Sequence, residues 1–101
     1  MILRFSRFRF KEGNEAEGED ILQSHATSMR ASAGCVSVWV GQGKHPSTEF
    51  VVVAFFDSDA SLRSFEGELR GNPSLGGDFF SLLRLTSVPP EVTEYEVRAS
   101  P

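Results

Sequence analysis

From Leu3 to Phe10 the residues are extended-chain formers, and Phe8 and Phe10 alternate with Arg7 and Arg9. A period of two predicts a strand with an apolar side and a charged side. A polar turn, Lys11–Glu15, leads into "EAEGEDILQSHATSMRASAG". There the period lengthens: Leu22, His25 and Met29 recur at helical spacing, with Ala33 beyond. Acidic residues crowd the start of this segment and Arg30 lies near its end, as the helix dipole favours, and Gly34 can stop it. Cys35–Val40, "CVSVWV", predicts a second strand, with Val36, Val38 and Val40 on one face and Cys35, Ser37 and Trp39 on the other.

After the turn-rich "GQGKHPSTE", Phe50–Phe56 is apolar on both faces, which predicts a central strand covered on both sides. "DSDASLRSFEGELR" predicts a second helix, capped by Ser58 or Asp57, with Leu62, Phe65 and Leu69 on one face. "GNPS" and "GG" break it, and "DFFSLLRL" predicts a further helical turn or two before Pro89-Pro90. Glu91–Val97 alternates and predicts the fourth strand. The order β-α-β-β-α-β is the split-βαβ, ferredoxin-like α+β arrangement: one four-stranded antiparallel sheet with the helices on one face. No repeat, linker or low-complexity tract interrupts it, so residues 1–101 read as a single domain.

The formal charge of −4 argues against a surface built to neutralise phosphates. An RNA-recognition motif shares the topology, but "TEFVVVAF" stands where its basic, glycine- and aromatic-bearing third-strand signature belongs. No nucleic-acid partner is expected. Arg7 and Arg9 are instead expected to pair across strands with Glu91, Glu94 or Glu96. One cysteine and two histidines without zinc spacing predict no disulfide and no metal, and fit a reduced, cytoplasmic setting. No segment approaches the ~18 apolar residues of a membrane span, and no signal peptide is read at the start.

"RFRFKEG", the helix ending "AGC", "EFVVVAFFDSDASLRSF", "NPSL" and "PPEVTEYEV" follow one another with spacing that resembles the antibiotic biosynthesis monooxygenase-like family of dimeric α+β barrels. The resemblance implies a homodimer in which two sheets meet face to face, with the helices outside. That would explain why Phe50–Phe56 is apolar on both sides. It further implies a cofactor-independent oxygenase, with a small aromatic or quinol-type compound held between sheet and helices. The same fold also serves non-catalytic small-molecule-binding or structural homodimers, and fold alone does not choose between them. A haem-degrading branch carries an Asn in the first strand, a Trp ending the third and an iron-ligating His in the second helical segment. Ser6 and Phe56 hold the first two places here, and no histidine follows His45.

Within that frame His25 is the candidate catalytic residue, as acid/base or hydrogen-bond donor, with Gly18 leaving room beside it. Trp39, Phe65 and Phe79 are the other candidate pocket residues. Against these stand plainer readings: His25 at a helix edge, Trp39 filling a core or dimer interface. Cys35 has no activating neighbour, His45 reads as a solvated loop residue, and Asp57 and Asp59 read as helix-start residues.

Overall fold

A computed structural model describes the backbone of residues 1–101 and the side chains of all but residues 73–75, which fall within "NPSL". The strands are β1 (Ile2–Arg9), β2 (Cys35–Gln42), β3 (Glu49–Phe56) and β4 (Glu91–Glu96), and the helices are α1 (Glu15–Arg30), α2 (Asp59–Gly71) and α3 (Pro73–Leu85). The sheet order is β2-β3-β1-β4, and each neighbouring pair is antiparallel. This is the ferredoxin-like α+β fold, with one element fuller than the sequence reading. The segment after Gly71 is a 13-residue helix rather than a turn or two. A proline at the first helical position costs no hydrogen bond, because the first amides have no partner within the helix.

Residues opposed in an antiparallel ladder project to the same side. Phe8, Phe50, Val52, Ala54 and Phe56 face the helices and are buried, as are Leu22, Met29, Leu62, Phe65, Leu82 and Leu85 from the helices themselves. This layer is the core. α3 packs on both α1 and α2, and Ser24 Oγ donates to Asp78 Oδ2 at 3.1 Å between α1 and α3. Ser58 caps α2, accepting from Ser61 N at 3.2 Å. Gly34 does not end α1, whose C-cap is Ala31. Instead it takes φ +83° in the turn into β2, where a Cβ would collide with Ser61.

β2 departs from simple alternation. Cys35 opposes Phe56 and Ser37 opposes Phe55, so Val36 is an extra, bulged residue. Cys35 therefore lies on the helix side with Val38 and Val40, while Trp39, opposite Val53, lies on the other side. The expected sharing of a face by Trp39 and Cys35 is corrected by this one inserted residue. Cys35 is buried and its thiol pKa is pushed up, by burial first, with Arg30 pulling the other way.

The face away from the helices carries Leu3, Phe5, Val51, Val53 and Phe55, all half-buried, and the exposed Trp39 and Tyr95. Charge rims this apolar area. Arg7 pairs with Glu91 at 3.4 Å and Glu49 at 3.8 Å, and Arg9 pairs with Glu49 at 3.1 Å. The expected partnership of the two arginines with β4 thus holds only for Arg7 with Glu91. Glu94 and Glu96 oppose Arg4 and Ile2 and project to the helix side, where Glu94 bonds Arg63 of α2.

Candidate functional site

The same parity that buries Phe8 carries Arg4 and Ser6 to the helix side of β1. Both are buried, Arg4 to 5% exposure and Ser6 to 1%. Arg4 Nη1 donates to Ser6 Oγ at 2.9 Å, and the guanidinium carbon stands 5.5 Å from the centre of the Phe65 ring. Burial lowers the Arg4 pKa, while Glu66 and Glu94 act in the opposite direction. It remains a cation at neutral pH, as arginine does in proteins.

Neither Glu66 nor Glu94 is within ion-pair distance of Arg4 among the described residues; both bond Arg63, as does Asp59 at 3.3 Å. Ser6 Oγ is the one hydrogen-bond acceptor the described residues give Arg4. A buried cation whose nearby carboxylates are committed elsewhere is costly unless another acceptor meets it.

His25 enters from α1. It lies at the helical spacing of Leu22 and Met29 and, like them, is buried, at 1% exposure. Its ring centre is 6.4 Å from that of Phe65 on α2 and 6.3 Å from that of Phe79 on α3. Nδ1 is the one buried side-chain polar atom without a hydrogen-bond partner among the described residues. The His25 pKa falls to about 4, first through burial and then through the Arg4 charge, with Asp78 opposing. The imidazole is therefore neutral at pH 7, able to exchange a hydrogen bond but a poor store for a proton.

Beyond Phe79 an open hollow of about 470 Å³ lies between α2 and α3, lined by Leu69, Arg70, Asn72, Gly76, Gly77, Phe79 and Phe80. Phe79 thus has His25 near one side of its ring and borders this hollow as well. That volume lies within the range of small-molecule sites.

Of the candidate residues, the structure gathers His25, Phe65 and Phe79, while Trp39, alternating with the helix-facing Val38 and Val40, lies on the opposite face. Gly18 leaves no vacancy, because the Phe10 ring fills the space against it. His45 is exposed and Asp57 and Asp59 stand at the start of α2. Arg4 is the residue the sequence reading passed over. The signal was available: Arg4 shares parity with Phe8 and Phe10. Among the described residues no group of three or more His, Cys, Asp and Glu could hold a metal ion, and no helix is long and apolar enough to cross a membrane.

A four-stranded ferredoxin-like sheet with its polar groups buried beneath three helices defines a class of small α+β proteins. Residues 1–68 match the family model for antibiotic biosynthesis monooxygenase, and the chain belongs to that family. Its fold is shared with a Deinococcus radiodurans protein provisionally classed as an antibiotic biosynthesis monooxygenase, at 17% identity and a TM-score of 0.84 over 99% of this chain and 95% of that one. It is shared with Rv0793 from Mycobacterium tuberculosis, at 21% identity and 0.82 over 98% and 96%. SnoaB, a cofactor-independent oxygenase from Streptomyces nogalater, is similar at 17% identity and 0.82 over 98% and 94%. No curated protein matches the chain in sequence.

Proposed function

We propose that this chain is a cofactor-independent monooxygenase-like protein that takes a small aromatic or quinol-type compound between its sheet and helices. The observation that carries the reading is His25: a buried imidazole with Nδ1 unpartnered, flanked by the rings of Phe65 and Phe79. Such a pairing of aromatic walls with one unmet polar atom suits a flat ring bearing a hydroxyl. His25 would exchange a hydrogen bond with that hydroxyl and orient the ring.

The electrons for oxygen then come from the substrate. In the oxidation of anthrone a ring CH2 becomes a carbonyl: one oxygen atom of O2 enters the product, and the other leaves as water with the two hydrogens of the CH2. No external reductant is needed. The protein acts as a homodimer, joined through the apolar face that bears Phe5, Trp39, Val53 and Tyr95. Trp39 is 67% and Tyr95 54% exposed on that face, and a second copy would cover them.

Oxygen uptake with anthrone, followed by the absorbance of the quinone formed, tests the activity. The expected result is catalysed turnover that falls at least about tenfold in His25→Leu. Uptake at the uncatalysed rate would reject an oxygenase acting on this class of compound.

A second reading has its own support. The Phe10 ring already occupies the room that Gly18 leaves, and Leu22, Met29, Leu62 and Phe65 are fully covered. A core so filled suits a non-catalytic small-molecule-binding or structural homodimer. Tight binding of anthrone without turnover would select a binding protein. Neither binding nor turnover, with a dimeric mass, would select the structural role.

A further inference from the structure

We propose that Arg4 is an anion anchor, so that the compound held beneath the helices is an aromatic oxyanion: a carboxylate or a phenolate on a flat ring. This rests on the reading of the space between sheet and helices as a small-molecule site, and it adds the charge of the ligand.

Three observations converge. The Arg4 side chain is 5% exposed, Ser6 Oγ, a neutral acceptor, is its one hydrogen-bond partner among the described residues, and its other guanidinium nitrogens are left to water, which an anion would displace. The two carboxylates whose charges reach it, Glu66 and Glu94, are bonded to Arg63 instead. Arg4 and His25 both pack on Phe65, the guanidinium carbon 5.5 Å and the imidazole centre 6.4 Å from the centre of its ring, so a cation and an unpartnered nitrogen share one aromatic neighbour.

An arginine fork matches a planar carboxylate, and a charge-assisted bond formed away from water is among the stronger recognition contacts. The neutral His25 adds a hydrogen bond without a competing charge. A neutral aromatic would leave Arg4 as it stands, whereas an anionic one would complete it.

The approach runs through the hollow between α2 and α3. Its wall toward His25 is the half-buried ring of Phe79. Rotation of that ring would open the hollow toward His25. Leu69 and Phe80 offer apolar contact along the way, and Arg70 at the lining favours an anion.

Calorimetric titration with 2-naphthoate and its neutral isostere 2-naphthamide tests the inference on the unaltered protein. Naphthoate is expected to bind at least about tenfold tighter, the discrimination a buried charged hydrogen bond supplies. In Arg4→Met the preference should vanish while naphthamide affinity stays within about threefold. Titration of 2-naphthol separates the two oxyanions: a phenolate seat lowers the pH at which the bound naphtholate absorbance band appears, and a seat for carboxylates alone leaves that pH where it is in free solution. Either result supports Arg4 provided that naphthoate is preferred.

Equal binding of naphthoate and naphthamide overturns the anchor while leaving the small-molecule reading intact. So does a preference that survives Arg4→Met, or one that Arg70→Gln abolishes, which would place the anion at the mouth of the hollow. Failure of both naphthalenes to bind overturns the anchor too, and the anthrone measurement then judges the broader reading separately. Should Arg4→Met fail to fold, the comparison of acid with amide on the native chain still decides.

Discussion

Gly18 on α1 lies directly against the ring of Phe10: a Cβ at Gly18 would stand 2.5 Å from Phe10 Cζ. The ring cannot retreat easily, because Phe10 is buried and packs on Phe8 and Phe50, with ring centres 6.4 and 5.5 Å away. Gly18→Ala should therefore destabilise the protein. Overpacking costs roughly 1–3 kcal/mol, and alanine returns about 0.5–1 kcal/mol through its better helix propensity. A net loss of about 1–2 kcal/mol is expected in urea melts. Pairing the change with Phe10→Leu should show a favourable coupling, since the shorter side chain vacates the contact.

His25 gives stability a pH dependence with a definite sign. Its folded pKa, about 4, lies below the ordinary 6.5, so the unfolded chain takes up a proton first. The contribution of the neutral imidazole is complete above about pH 6.5 and is lost as the pH falls toward 4. The total is on the order of 3 kcal/mol, from the size of the shift. Melts between pH 7.5 and 4.5 should show this loss in the native chain and a flatter profile in His25→Leu. Equal slopes in the two proteins would show that the histidine titrates normally.

The charged rim predicts a particular pattern of rescue. Arg7 and Arg9 share Glu49, and Arg7 also meets Glu91. These groups are partly exposed, so each pair is worth about 0.2–1 kcal/mol. Reversal of Arg7 to glutamate should be partly recovered by Glu91→Lys, and not by Glu94→Lys or Glu96→Lys. Glu94→Lys should instead couple to Arg63→Glu. Double-mutant cycles by thermal melting read both results, and a rescue of Arg7→Glu by the Glu94 change would contradict the strand register.

Val53 lies at the middle of the face turned away from the helices, opposite Phe5 on one side and Trp39 on the other. If that face joins two copies, Val53→Arg sets a charge against its counterpart. The expected outcome is a dimeric mass for the native protein and a monomeric mass for the variant by light scattering at micromolar concentration. A native chain that is monomeric at high concentration would remove the barrel.

Much of this architecture was legible because strands and helices write different periods. Phe8 and Phe10 alternating with Arg7 and Arg9 announce a strand, and Leu22, His25 and Met29 announce a helix face. The bulge at Val36 was not legible. An extra residue leaves both flanking runs alternating correctly and shifts only their phase, which shows when a partner strand is laid beside them. α3 was underestimated because Gly76 and Gly77 weaken local helix propensity, whereas packing against α1 and α2 supplies what propensity lacks. Glu94 was given the wrong partner for a related reason: parity decides the face of the sheet, and charge alone does not. At the candidate site His25 was found from its spacing. Arg4 was missed because a charge in a strand is ordinarily assigned to the solvent side, and only its phase with Phe8 and Phe10 says otherwise.

Arg63 sits on the outside of α2, yet it holds the two carboxylates whose charges act on Arg4. The interior charge balance is thus set from the surface. Replacement of Arg63 by a neutral residue would release Glu66 and Glu94 to turn inward, and the buried cation would find its counterion within the chain. If Arg4 anchors an anion as proposed, relatives that differ only at this outward position would then differ in ligand preference, with every interior side chain unchanged. Selectivity in such a lineage could drift through substitutions that look, residue by residue, like neutral surface variation.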